Sequence, residues 1–226
     1  SPNRKEIAFT SNRDGAKLFD TRIFLMDVDG ANMRRLTSGT RTEKHPAWSP
    51  DGDRIAFTRL DDQGSTIYVV NVDGSGLKRL TGAEISGQEP SWSPDGDAIT
   101  FSGRLGESPK NQIYVMDSDG SNVEPMGSTN TSNFHPAWSP DGAWIAFSCH
   151  DETVERICIM GTAEQVVAVL TAGDAGWHSM PTWAPDSSRL AYRSIRGGVA
   201  YIMFVNNDGT DISYMGLKGA PSSWVN

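Results

Sequence analysis

Helical periodicity, long apolar runs and cysteine are what this 226-residue chain has least of. No stretch of ten or more residues spaces its apolar side chains at a helical period, so strands are the expected building material. The longest apolar runs are only strand-length, which leaves no candidate for a membrane-spanning helix. Positive charge is scarce as well. Twenty Lys and Arg face 28 Asp and Glu, for a net charge of −8 and a pI near 4.9. That balance argues against nucleic acid or an anionic membrane as partner, since both need basic surface. There is no Gly-x-Ser-x-Gly elbow, no Gly-Lys-Ser/Thr phosphate loop and no paired-Cys metal motif, and with them go the commonest readable catalytic signatures. Acidic pairs such as Asp61-Asp62 sit in loops, and carboxylates are too plentiful for any pair to read as a glycosidase site. No linker or low-complexity tract interrupts the chain. Its first residues, Ser1-Pro2, show no signal-peptide pattern, as expected of a processed or trimmed chain.

What the chain does have is a repeat. Pro-x-Trp-x-Pro-Asp recurs at Pro46 to Asp51, Pro90 to Asp95, Pro136 to Asp141 and Pro181 to Asp186. Trp48, Trp92, Trp138 and Trp183 lie 44, 46 and 45 residues apart, and Trp224 follows 41 further on. After each turn comes a short apolar run: Ile55-Ala56-Phe57, Ile99-Thr100-Phe101, Ile145-Ala146-Phe147 and Leu190-Ala191-Tyr192, with Ile7-Ala8-Phe9 opening the chain. A longer β-rich run follows (Ile23 to Met26, Ile67 to Val70, Ile113 to Met116, Ile157 to Met160, Ile202 to Val205). Four of these five lead into Asp-Gly, a strong hairpin signal. Arg35-Leu36-Thr37, Arg79-Leu80-Thr81 and Val169-Leu170-Thr171 close three of the units.

Each unit therefore reads as four short strands, A to D, the size of a β-propeller blade. The Trp sits in strand A between small residues and is expected to be blade core rather than a ladder of sugar-stacking rings. The chain enters at strand B and leaves on an A-like strand, Ser222 to Val225. The expected fold is thus all-β: a five-bladed propeller of four-stranded antiparallel blades, its ring closed by the C-terminal strand completing the first blade. As one domain over residues 1–226, blade 1 takes 7–37 plus 221–226, blade 2 45–81, blade 3 89–126, blade 4 135–171 and blade 5 180–215. Pro221 lies three residues before Trp224 instead of two, so a bulge is expected there. Cys149 and Cys158 fall in strands B and C of one blade. A cross-strand disulfide is one reading and two buried free thiols the favoured one.

Trp-Ser-Pro-Asp-Gly stands intact at Trp48 to Gly52, Trp92 to Gly96 and Trp138 to Gly142, and Ile113 to Gly120 gives Ile-Tyr-Val-Met-Asp-x-Asp-Gly. With these motifs the chain resembles the TolB-like, WD40-like β-propeller repeats over essentially its whole length. Ala184 and Ser187 break the turn motif once, and Gly161 to Glu164 replaces one Asp-Gly hairpin. The resemblance implies a periplasmic or extracellular protein. It leaves activity open, because the group includes scaffolds, substrate-gating domains of serine peptidases and occasional lyases, and fold alone does not fix function.

Strand alternation puts the short A–B and C–D turns on one face. The irregular B–C and D–A loops share the other, where binding is expected. His45, Glu89, His135 and His178 lie just upstream of strand A and are expected to ring one channel mouth as ligand-binding residues. They are also the candidate ligands of a divalent metal. Phe134 and Trp177 are aromatics outside the Trp set on the same face, free to stack on a sugar or peptide or to pack under their own loops. The Asp27-Val28-Asp29-Gly30 and Asp117-Ser118-Asp119-Gly120 segments read as turns rather than calcium loops. The functional expectation is a non-catalytic, monomeric module binding a protein partner or a small or saccharide ligand on the irregular face. The alternative is a metal-assisted lyase or hydrolase using the His/Glu cluster.

Overall fold

The Trp-Ser-Pro-Asp-Gly turn closes on its own side chains. Ser49 Oγ donates to the Asp51 carboxylate and accepts from Arg54 N at 3.0 Å, while Asp53 N donates to Asp51 Oδ1 at 3.0 Å. The same exchange recurs at Ser93/Asp95 and Ser139/Asp141. Where Ala184 replaces the serine, Ser188 N and Oγ serve Asp186 instead. The Asp-Gly hairpins are equally self-contained. Asp27 Oδ2 accepts from Asn32, Asp117 Oδ2 from Asn122, and Asp119 Oδ1 from Ser121. These carboxylates are spent on turn geometry. Gly120 carries a positive φ of 92° and lies so close to Leu80 O that a Cβ would stand 2.7 Å away, so glycine is required there.

A computed structural model describes residues 1–14, 20–62, 64–127, 131–151, 153–174 and 176–215. It is all-β, with no helix among the described residues. Blade 1 contains β1 (Glu6–Ser11), β2 (Arg22–Asp27) and β3 (Arg34–Arg35). Blade 2 contains β4 (Glu43–Trp48), β5 (Arg54–Asp61), β6 (Gly64–Asn71) and β7 (Lys78–Arg79). Blade 3 contains β8 (Ile85–Trp92), β9 (Ala98–Leu105), β10 (Gln112–Asp117) and β11 (Glu124–Met126). Blade 4 contains β12 (Ser132–Trp138), β13 (Trp144–His150), β14 (Glu155–Gly161) and β15 (Val167–Val169). Blade 5 contains β16 (Trp177–Trp183), β17 (Arg189–Arg196), β18 (Val199–Asn206) and β19 (Ser213–Tyr214). Each blade is an antiparallel meander in chain order, and together they form a five-bladed β-propeller. The expected closing strand, Ser222 to Val225, and the expected bulge at Pro221 lie outside the described residues.

The core is distributed between blades. Ile23, Leu25 and Leu36 of blade 1 pack on Ile55, Phe57 and Val70 of blade 2. Ala56, Ile67 and Val69 of blade 2 meet Trp92, Ile99 and Phe101 of blade 3. Ile113 and Met126 meet Ile145 and Phe147, and Ile157 and Ile159 meet Trp183, Leu190 and Tyr192. Each buried Val, Leu, Ile, Met or Phe side chain among them contributes roughly 1.5–3 kcal/mol by leaving water. Trp92 and Trp183 are buried, and Trp48 and Trp138 are partly buried against the same clusters, so these four rings are blade core.

One expectation is corrected. Cys149 and Cys158 are not free thiols but a disulfide, with Cα atoms 5.9 Å apart. Cys149 faces Arg156 and Cys158 faces Phe147 in the β13–β14 ladder. The two sulfurs therefore sit diagonally on one face, within bonding reach.

A candidate ligand site at the channel mouth

The first strands of successive blades touch one another, β4 with β8, β8 with β12 and β12 with β16, so they converge on the axis. All four carry the same irregularity. The register slips between Lys44 and Ala47, Gln88 and Ser91, Phe134 and Ala137, and Ser179 and Thr182. In each gap a proline, which has no N–H for the ladder, follows a residue of positive φ: His45 (53°), Glu89 (58°), His135 (52°) and Met180 (57°). Four non-glycine residues in the left-handed region mark a bulge that the surrounding fold enforces.

A directional hydrogen-bond chain stitches these bulges across the blades. Glu89 N donates to Thr58 Oγ1 at 2.9 Å, and Thr58 Oγ1 lies 3.4 Å from His45 Nδ1. Met180 N donates to Ser148 Oγ at 3.2 Å, and Ser148 Oγ lies 3.3 Å from His135 Nδ1. The Glu89 carboxylate facing His135 Nε2 can only accept, so the neutral His135 ring carries its hydrogen on Nε2 and its Nδ1 accepts from Ser148 Oγ. His135 Nε2 then donates to Glu89 Oε1 at 3.2 Å, while His135 N donates to Glu89 Oε2 at 2.7 Å.

Partial enclosure by neighbouring blades sets the protonation states, with Glu89 and His135 half-buried and His45 keeping an exposed edge. Burial lowers the His135 pKa to about 4, with Arg193 adding to the effect, so the ring is neutral at pH 7 and its bond to Glu89 joins an imidazole to a carboxylate. Burial also lowers His45 while Glu89 pulls it upward, and burial raises Glu89 against the opposing His135 N–H and His45. Two further residues belong here that the repeat alone did not single out. Glu155 is pushed up to about 7 by burial, opposed by Arg193 and reinforced by Glu89. Arg193 had a readable signal. It follows Tyr192 where Thr10, Thr58, Ser102 and Ser148 follow Phe in the other blades. Glu155 had none.

His178 does not join the ring. Met180 occupies the equivalent bulge, and His178 lies two residues earlier, fully buried. Its Nε2 is 3.6 Å from Asp174 Oδ2, and its ring meets Tyr192 edge-on. Burial lowers its pKa, with Asp174 opposing. Asp174 also takes Arg196 Nη2 at 2.6 Å on both oxygens, so His178 belongs to the anchor of a loop. Trp177 lies half-exposed on His150 and lines a cleft of about 400 Å³ with Val154, Ile195 and Arg196. Phe134 is half-buried, its ring 6.4 Å from His135. Among the described residues no group of three or more His, Cys, Asp or Glu is arranged to hold a metal ion. His135, with Nδ1 accepting and Nε2 donating, has no lone pair to offer one.

The architecture defines a β-propeller with a polar, strained channel mouth on its irregular face. Residues 1–213 match the TolB beta propeller domain, and the chain belongs to that family. It is 43% identical over 53 residues to the Protein TolB homolog of Chlorobium chlorochromatii, covering 24% of this chain and 11% of that protein. It is 36% identical over 59 residues to dipeptidyl-peptidase 5 of Porphyromonas endodontalis, covering 25% of this chain and 8% of that protein. TolB from Acinetobacter baumannii superposes with a TM-score of 0.79 at 21% identity, over 93% of this chain and 52% of that one. A putative TolB from Agrobacterium tumefaciens gives 0.78 at 20% identity, over 95% and 77%. An oligogalacturonate lyase in complex with manganese gives 0.68 at 16% identity, over 96% and 63%. At these identities the structures share the fold alone.

Proposed function

We propose that the chain is a binding module of the bacterial envelope or its exterior, engaging a protein partner or a small or saccharide ligand at the channel mouth. The observation that carries this is the Glu89–His135–Ser148–Met180 hydrogen-bond chain across three blades. It holds polar groups in an enforced, pre-ordered geometry on the face with irregular loops. Membership of the TolB family supports a role in the envelope. The Cys149–Cys158 bond supports an oxidising compartment.

The test is retention of envelope proteins or saccharides on the immobilised chain. Glu89→Gln with His135→Asn should abolish specific retention, and Asp119→Ser in an Asp-Gly turn should leave it intact. The opposite pattern would move binding to the other face. A metal-assisted lyase or hydrolase is the second reading, and its support is the shared fold of the manganese-bound lyase. The donor arrangement at His135 favours hydrogen bonding over metal ligation. Stoichiometric Mn, Zn or Ca retained through purification would favour the second reading.

A further inference from the structure

A cleft of about 400 Å³ opens between blades 4 and 5, lined by Val154, Gly176, Trp177, Ile195, Arg196 and Gly197. Trp177 and Ile195 are opposite partners in the β16–β17 ladder, so their side chains form one apolar wall. His150 backs the indole, with ring centroids 5.5 Å apart. Gly176 has to be glycine, because a Cβ there would stand 3.0 Å from both His178 Cε1 and Ser194 Oγ. The polar groups around this wall are unbalanced. Asp151, at the Val154 end, accepts from Val154 N at 3.0 Å and from Thr153 N and Oγ1. Asp174 accepts from Arg196 Nη2 at 2.6 Å on both oxygens and from Tyr192 Oη at 3.4 Å. The neighbouring acids are thus spent on protein donors. The donors are not all spent. Ser194 Oγ takes Arg196 Nε at 3.2 Å, and Asp174 grips Nη2 alone instead of forking across two nitrogens. Among the described residues Arg196 Nη1 and Trp177 Nε1 have no hydrogen-bond partner. A guanidinium braced in this way is a fixed donor at the end of an apolar slot.

We propose that this cleft, separate from the channel mouth, binds a carboxylate carried on an apolar ring, as in a free aryl acid or an aromatic residue at a peptide C-terminus. The ring lies against Trp177 and Ile195, and the carboxylate accepts from Arg196 Nη1. A saccharide is a poorer match. Its hydroxyl donors meet no free acceptor side chain among the described lining residues, and unmet donors cost binding energy.

The test is calorimetric titration of the whole chain with 3-phenylpropionate, 3-phenylpropionamide, N-acetylphenylalanine and glucuronate. Saturable millimolar binding of the two aromatic acids is expected, weakened about tenfold in the amide, as for loss of one charged hydrogen bond. Trp177→Ala should weaken both acids by about tenfold or more and leave the melt unchanged, since the ring is half-exposed. In Arg196→Met the acid and the amide should bind alike. Should that variant fail to fold, the acid-to-amide ratio of the native chain and Trp177→Ala decide alone. Tighter binding of N-acetylphenylalanine than of 3-phenylpropionate assigns the carboxylate to a peptide C-terminus, and the reverse order to a free acid. Absence of saturable binding overturns the proposal, as does equal binding of acid and amide or indifference to Trp177→Ala. Glucuronate binding more tightly than 3-phenylpropionate would overturn it in favour of a saccharide.

Discussion

At the scale of single residues, one substitution between repeats explains an orphaned donor. Trp92 Nε1 and Trp183 Nε1 donate to Ala47 O and Ala137 O, carbonyls of the preceding blade, at 3.2 and 3.0 Å. Trp138 Nε1 is buried without a partner. Ser91 O, the corresponding carbonyl, instead accepts from Thr100 Oγ1 at 3.3 Å, and Thr100 stands where the other blades have Ala8, Ala56, Ala146 and Ala191. Thr100→Ala should free that carbonyl for the indole. Stability should then hold or rise by up to about 1 kcal/mol, and a chemical-denaturation loss beyond that would sink the explanation. Glu43 is fully buried and bound by Arg59 at 2.7 Å. Glu43→Ala strands the guanidinium and should cost about 3–5 kcal/mol in the same assay. Glu155 gives a pH test. Its folded pKa of about 7 is above the ordinary glutamate value of 4.5. Its contribution is therefore complete below the unfolded value and is lost as pH rises through 7. His135, lowered to about 4, runs the other way, so its contribution is lost as pH falls through 4. Arg193 and Glu89 bear on both groups. Glu155→Gln removes only the first slope and should gain on the native chain above pH 7 by about 1–2 kcal/mol, after allowing for solvent screening. Parallel melting profiles from pH 5 to pH 8 would contradict it. The mouth residues were legible only if counted from the right landmark. His45, Glu89 and His135 lie three residues before their tryptophans, as does Met180, whereas His178 lies five before.

At the scale of elements, the β13–β14 hairpin carries the disulfide. Closing so short a loop is worth about 2–3 kcal/mol in the chain-entropy account, so dithiothreitol should lower the melting temperature and broaden the exchange of β13 and β14 amides first. A melt indifferent to reductant would show the bond to be energetically idle. The hairpins were readable from Asp-Gly and the β-rich runs because those cues are local. The bulges were not. A left-handed backbone is usually announced by glycine, and here it is adopted by His, Glu, His and Met under constraint from the next blade. The disulfide was undecidable for a related reason. Two cysteines nine residues apart become diagonal partners only once the register is fixed.

At the scale of the whole molecule, the period of the tryptophans made the five blades legible before any geometry. Closure is the part that remains to be measured. In blades 2 to 5 the first strand packs against the preceding blade, and the repeat assigns that role in blade 1 to residues 222–226. Deleting them should cost roughly 3–5 kcal/mol, as for loss of one core tryptophan, and expose the edge of β1 to aggregation. An unchanged melt and a monodisperse product would reassign the tail. Function was less legible than fold because the mouth is assembled from side chains on blades 2 to 5, and no single repeat spells it. The proline bulge has one more consequence. It holds an imidazole, a carboxylate and a thioether on the same backbone, so residue identity at 45, 89, 135 and 180 is uncoupled from the packing beneath. These positions should therefore accept exchange as sockets do, with Glu89 and His135 exchanged as a bonded pair. A lineage, or an engineer, can exchange their contents and rewrite selectivity while the scaffold keeps its stability.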